Sequence, residues 1–147
     1  MKVHEDLIVF APGKTVYNPQ MEAGKPYARK TDKPEGYVGR VNTHKYAMKP
    51  RTEFSNEGTR YPKSVLNFPR DFSAQQQDHP TRKATTLLEY LVRTYSNENA
   101  VVLDNCMGTG QTGVACARAG RKFIGMELEE SYFVLAKNKI EEAYRGI

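Results

Sequence analysis

Only two cysteines, Cys106 and Cys116, occur among the 147 residues, and their spacing is not C-x-x-C. That makes zinc and disulfide readings both poor, so no metal ligands are expected and a reducing cytoplasm is the expected location. No apolar run approaches the ~20 residues needed to cross a bilayer. No signal-peptide pattern opens the chain, and no segment repeats. Two adjacent prolines are also absent, although prolines number eight.

What remains is the composition of one modest soluble domain, 39% hydrophobic and 27% charged. The charge is unevenly placed. Residues 1–99 hold 16 Lys and Arg against 11 Asp and Glu, whereas residues 100–147 hold six of each, so the whole net charge of +5 lies in the front of the chain. Within residues 24–70 the imbalance sharpens to 11 basic against four acidic residues. A basic front on a neutral back suggests a polyanionic substrate, with a merely solvated surface as the alternative.

One stretch organises the rest. Val101-Val102-Leu103 is a short run of β-formers ending in Asp104; Asn105-Cys106-Met107-Gly108-Thr109-Gly110 must turn tightly; and from Gln111 the residues suit a helix that Gly120 would close. Lys122-Phe123-Ile124-Gly125-Met126-Glu127 reads as a second strand, and places Glu127 where an acid meets a ribose in Rossmann-like sites. Gly108, Gly110 and Gly113 satisfy G-x-G-x-x-G, a pattern that is weak alone. Asp104 discriminates between cofactors. A carboxylate at the strand end would repel a pyrophosphate, but suits the ammonium and sulfonium of S-adenosylmethionine.

Leu103 to Ala115, with Phe123-Ile124-Gly125-Met126-Glu127-Leu128 and Tyr132-Phe133, resembles the C-terminal part of DNA amino-methyltransferases of the N6-adenine/N4-cytosine type. His79-Pro80-Thr81-Arg82-Lys83 resembles that family's His-Pro-Thr-x-Lys-Pro segment, with Ala84 in place of proline; Gln111 stands where many relatives have Ser or Thr. The resemblance implies an α/β fold of three layers, a partial Rossmann-like methyltransferase with an incomplete sheet, that binds S-adenosyl-L-methionine. It places Thr81, Lys83, Asp104, Asn105, Cys106, Gly108, Thr109, Gly110, Glu127 and Leu128 at the cofactor. Glu127 would hold the ribose and the loop amides the methionine carboxylate. Cys106 reads as a loop filler, since methyl transfer to an amine needs no covalent enzyme intermediate.

Residues 17–61 show neither period and are expected to be mostly loop. There Lys25, Arg29, Lys30, Lys33, Arg40, Lys45, Lys49 and Arg51 interleave with Tyr27, Tyr37, Tyr46, Phe54 and Tyr61, a pattern suited to phosphates and displaced bases. The expected partner is double-stranded DNA, with no membrane. Strands are expected at residues 4–10 and around Val65-Leu66-Asn67-Phe68, and an amphipathic helix at 85–95, with Thr86 and Glu89 as a candidate capping box. A last helix spans about 130–144, with Phe133, Ala136, Ile140 and Ala143 inward. His4 reads as structural rather than catalytic. The expected division is 1–78 as the DNA-contacting region and 79–147 as the cofactor half, packed as one domain.

In the resembled family a [Asp/Asn/Ser]-Pro-Pro-[Tyr/Phe/Trp] loop grips the target amine, and this sequence has none. Asn18-Pro19-Gln20-Met21 is the nearest imitation. The chain itself therefore offers no catalytic residue. The expectation is half of a site-specific DNA methyltransferase of a restriction-modification type, adenine before cytosine, with the loop supplied in trans by a companion chain or, failing that, a homodimer. The alternative is an inactive remnant acting as a DNA- or cofactor-binding regulator; a nicotinamide-binding Rossmann protein is a weaker third reading.

Overall fold

The computed structural model describes residues 5–30, 53–69 and 82–146. The chain divides into two compact units, Met21–Lys63 and the combination of Met1–Gln20 with Ser64–Ile147. The smaller unit carries four short strands. β1 (Glu22–Ala23) pairs antiparallel with β4 (Thr59–Arg60), and β2 (Tyr27–Lys30) with β3 (Glu53–Asn56). Part of the segment expected to be loop is thus paired. The turn between β3 and β4 closes because the Asn56 side chain accepts from Gly58 N at 2.9 Å and donates to Thr59 O at 2.8 Å.

The larger unit is built on α1 (Thr85–Tyr95), β5 (Val101–Asp104), α2 (Gln111–Arg118), β6 (Lys122–Gly125) and α3 (Glu130–Arg145). β5 and β6 are parallel, Val101 opposite Lys122 and Asp104 opposite Gly125, with α2 as the crossover. This is a partial Rossmann-like unit. Side chains alternate across the pair, so Val102 and Phe123 point to the face where Val92 of α1, Cys116 of α2 and Ala119 just past the end of α2 make the core.

Small residues let α3 join that layer. A Cβ on Gly110 or Gly113 would meet Ala136 or Ile140, and Ala136 is fully buried. Farther along, Tyr144 donates to Arg121 O, so α3 runs in the same direction as α2. Phe133, expected inward, is 41% exposed. Ala136 already meets the start of α2, so Phe133, a turn earlier, lies beyond that start, at the end where the glycine turn sits.

All three helices thus lie on one side of the sheet. On the other, Val101, Leu103, Ile124 and Met126 are 51–60% exposed. Parallel sheets are ordinarily covered on both faces. Among the described residues only two of the three expected layers are present.

Other expectations need correction. Residues 5–10 and 61–69 form no strand, and Leu7, Ile8, Val9 and Phe10 are exposed. Apolar β-formers make a strand only with a neighbour to pair with, and among the described residues neither segment has one. The Thr86–Glu89 capping box does not form. α1 starts at Thr85 behind Ala84, with no side-chain cap, so Thr86 is already inside the first turn; Glu89 instead accepts from Arg93 at 2.8 and 3.0 Å. At the other end of α2, Gly120 N bonds Ala117 O and Arg121 N bonds Cys116 O, the paired bonds of a Schellman close, as the placement of Gly120 predicts.

Candidate cofactor site

The turn between β5 and α2 is held by side chains at both ends. Asp104, the last residue of β5, accepts from Cys106 N at 3.0 Å through one carboxylate oxygen and from Thr112 Oγ1 at 2.6 Å through the other. It thereby ties the strand end to the first turn of α2. Glu127 lies two residues beyond β6 rather than within it. Its Oε2 accepts from Gly108 N at 2.8 Å and its Oε1 from Leu128 N and Glu129 N at 3.0 and 3.1 Å. The two acids therefore flank one turn from two adjacent strand ends.

Between them the backbone is bare. Gly108 has φ +53° and Gly110 φ +83°, angles that disfavour a side chain. The two glycines differ in surroundings: a Cβ at Gly110 would press on Ala136 and Ile140, whereas one at Gly108 would meet no atom within 4 Å. The space beside Gly108 is where a ligand can approach the main chain. Met107, Thr109 and Gly110 of the turn are buried; Asn105, Cys106 and, after Glu127, Leu128 are exposed. The turn thus gathers Asp104, Asn105, Cys106, Gly108, Thr109, Gly110, Glu127 and Leu128.

Lys83 stands apart from this set, its Nζ 2.6 Å from Glu5. Thr81 lies outside the described residues, as does His4. The sequence pattern misses three supports of the turn: Thr112, which holds Asp104, and Gln111 with Arg82. Gln111 is buried, its side-chain amide 2.6 Å from Thr109 Oγ1; with that amide turned so that its nitrogen faces Thr109, its oxygen can accept from Arg82 Nε at 3.1 Å. The one sequence signal for the last pair is the unusual glutamine itself.

Of the proposed DNA contacts, Lys33, Arg40, Lys45, Lys49 and Arg51 lie outside the described residues. Lys25 falls between β1 and β2, and Arg29 and Lys30 are in β2. Arg60 lies over the Tyr27 ring, 4.7 Å from its centroid, and donates to Lys25 O at 2.9 Å. One face of that tyrosine is therefore used within its own unit.

The profile of the N6/N4 DNA methylase family matches residues 1–138. This chain is a member of the DNA methylase family. Among curated proteins, it is 30% identical over 100 residues to the DNA adenine methyltransferase YhdJ of Escherichia coli K12, covering 67% of this chain and 33% of that protein. It is 41% identical over 64 residues to the type II methyltransferase M2.LlaDCHI of Lactococcus lactis subsp. cremoris, covering 44% and 24%. The match therefore spans a quarter to a third of those relatives. Among solved structures, the M1.HpyAVI–SAM complex overlaps 82% of this chain and 63% of its own at 28% identity, with a TM-score of 0.44, a likeness in shape too slight to bear on function.

In this methylase chain the segment most like an amine-gripping loop has a different task. The Asn18 amide donates to Ser96 O at 3.1 Å and Arg93 O at 3.4 Å, and Asn18 N to Thr94 O at 2.7 Å. Asn18 thus satisfies carbonyls left open at the end of α1. Tyr17 packs beside Tyr95, ring centroids 6.2 Å apart.

Proposed function

We propose that this chain is the S-adenosyl-L-methionine-binding, DNA-contacting half of a DNA amino-methyltransferase, with adenine the favoured target. The observation that carries the reading is the unfilled space beside Gly108, in the turn that Asp104 and Glu127 hold at its two ends. The donor set fits this cofactor: acids for an ammonium, a sulfonium and ribose hydroxyls, bare backbone for close approach, and at the strand end a carboxylate that would repel a pyrophosphate. Bound there, S-adenosylmethionine supplies a methyl group already activated for attack by a neutral amine.

The chain's own residues account for binding and placement. Asp104 and Thr112 hold the turn to α2, Glu127 braces it against the end of β6, and Phe133 offers an exposed ring beyond the start of α2 for the adenine side. Lys25, Arg29, Lys30, Lys33, Arg40, Lys45, Lys49 and Arg51 would neutralise phosphates of double-stranded DNA, lowering affinity steeply as salt rises. The name of the relative YhdJ supports adenine.

Gripping the target amine falls to a Pro-Pro loop on a companion chain. The bare side of the sheet supports that partner. Covering the exposed half of Val101, Leu103, Ile124 and Met126 would contribute ~1 kcal/mol for each side chain. The relatives, three to four times the matched length, have ample chain to supply such a layer.

Titration calorimetry tests the cofactor reading. S-adenosylmethionine binds, Glu127→Ala weakens it at least ~10-fold, and NAD gives no heat. NAD binding without S-adenosylmethionine binding would remove the methyltransferase reading. Radiolabelled methyl transfer to DNA should require this chain mixed with a separately expressed chain carrying the Pro-Pro loop. A complex that forms yet transfers nothing would instead favour the inactive regulator.

A further inference from the structure

Arg60 has no part in that account, yet its side chain is held in place. In the ladder of β1 with β4 it stands directly opposite Glu22, a position from which an acid and a base ordinarily pair. Among the described residues Arg60 makes no ion pair. Its side chain runs instead across Gly24, where a Cβ would lie 2.7 Å from Arg60 Cγ, 3.0 Å from Nε and 3.4 Å from Cζ. From there Cζ lies 4.7 Å from the centroid of the Tyr27 ring, and Nη2 donates to Lys25 O at 2.9 Å. Gly24 is itself fixed, its N–H bonded to Gly58 O at 2.7 Å. A bare glycine, a ring and a carbonyl thus hold the cation, and none of them neutralises it.

We propose that Arg60 is a pre-ordered phosphate-binding residue for the DNA backbone, and that Gly24 is the positioning residue that seats it. This rests on the reading of the chain as DNA-contacting and adds a residue to it. A surface arginine ordinarily keeps its rotamer freedom, and ordering it before the partner arrives lowers what binding must later cost. The hydrogen bond to Lys25 O occupies one N–H of Nη2, and among the described residues Nε and Nη1 have no acceptor. Those donors lie in one plane, the arrangement suited to a phosphate. Reading a base edge needs a side chain that projects into a groove, whereas Arg60 is laid back along its own unit and meets what lies against that surface. Lys25 beside it, with Arg29 and Lys30 in β2, adds charge of the same sign, as a phosphate track requires.

The test measures fluorescence anisotropy of the full chain on two short labelled duplexes of unrelated sequence, from about 50 to about 200 mM salt, a range that reads affinity and the number of phosphates neutralised together. Arg60→Gln should lower the slope of log K against log salt by about one, weakening binding about 10-fold at the low end and about 3-fold at the high end, equally on both duplexes. The slope that remains shows that the variant is folded. Arg60→Lys should keep the whole slope and lose only part of the affinity. Gly24→Ala, whose methyl displaces Arg60 Cγ, should weaken binding in the parent and add nothing to Arg60→Gln. An unchanged slope in Arg60→Gln, or a loss confined to one duplex, overturns the proposal while leaving the DNA reading intact; a Gly24→Ala loss that persists in the double variant overturns the seat. A wild-type chain that binds neither duplex removes both the proposal and the DNA reading.

Discussion

Gly108 and Gly110 make a matched pair of perturbations, because the same substitution meets two different surroundings within one turn. Alanine at Gly110 would have to hold φ near +83°, which costs about 1–2 kcal/mol for a residue with a Cβ. Its Cβ would also lie 2.9 Å from Ala136 Cβ and 3.1 Å from Ile140 Cδ1, and Ala136 has no rotamer with which to retreat. Pushing α3 away adds about 1–3 kcal/mol of overpacking. Alanine at Gly108 carries a similar backbone strain at φ +53° but meets no atom within 4 Å. Both gain a few tenths of a kcal/mol through a stiffer unfolded chain. The expected losses are therefore about 2–4 kcal/mol for Gly110→Ala and about 1 kcal/mol for Gly108→Ala. In urea unfolding with an unchanged slope, the midpoint should fall by roughly 1 M or more for the first and by half of that or less for the second. Binding should follow its own rule: Gly108→Ala stays folded and loses S-adenosylmethionine, because the methyl occupies the open space. Equal destabilisation by the two variants, or a Gly110→Ala chain as stable as the parent, would refute the packing of α3 against the turn.

Two further outcomes follow from the fold. Burial pushes the Cys116 thiol up from its ordinary value of 9.0 to about 11, with Arg121 pulling it down and Asp104 adding to the rise. The unfolded chain therefore loses this proton first as pH rises. The thiol's contribution is fully present below about pH 9 and is lost on the way to about pH 11, and Cys116→Ala should flatten that part of a stability–pH profile; an unchanged slope would contradict it. Leu103→Asp places a charge on the uncovered side of the sheet, where it is 60% exposed and bears on no core residue. Its unfolding midpoint should shift little, while co-purification with the proposed companion chain should be lost; retained association would refute docking of a companion on this face.

How much of this was legible in the sequence depended on how local each cause is. The helix at Thr85–Tyr95 shows because leucines at three- and four-residue steps are enough to define an apolar side, and the turn shows because glycines at 108 and 110 have a local steric reason to be there. The side chains that hold the turn are another matter. Nothing in the string tells that Thr112 answers Asp104, that Glu127 spends its carboxylate on the amides of Gly108, Leu128 and Glu129, or that Gln111 reaches back to Arg82. Those are tertiary facts, set by how a strand end and a helix start meet.

The two strands that failed to appear share a cause with the bare face of the sheet. Leu7-Ile8-Val9-Phe10 has the composition of a buried strand, and the sequence pattern reads it as one, yet the run lies exposed. Val101, Leu103, Ile124 and Met126 likewise have the composition of a face that packs, and they too are exposed. Propensity states what a segment does once a neighbour is present, and pairing supplies the hydrogen bonds that make it a strand. Both features ask for the same kind of neighbour, one that offers a strand and an apolar layer together. A single companion bringing that pair of elements would convert exposed β-formers into a strand and the open side of β5 and β6 into an interior. The exposed run and the uncovered face of β5 and β6 are thus better explained by one neighbour than by two separate defects.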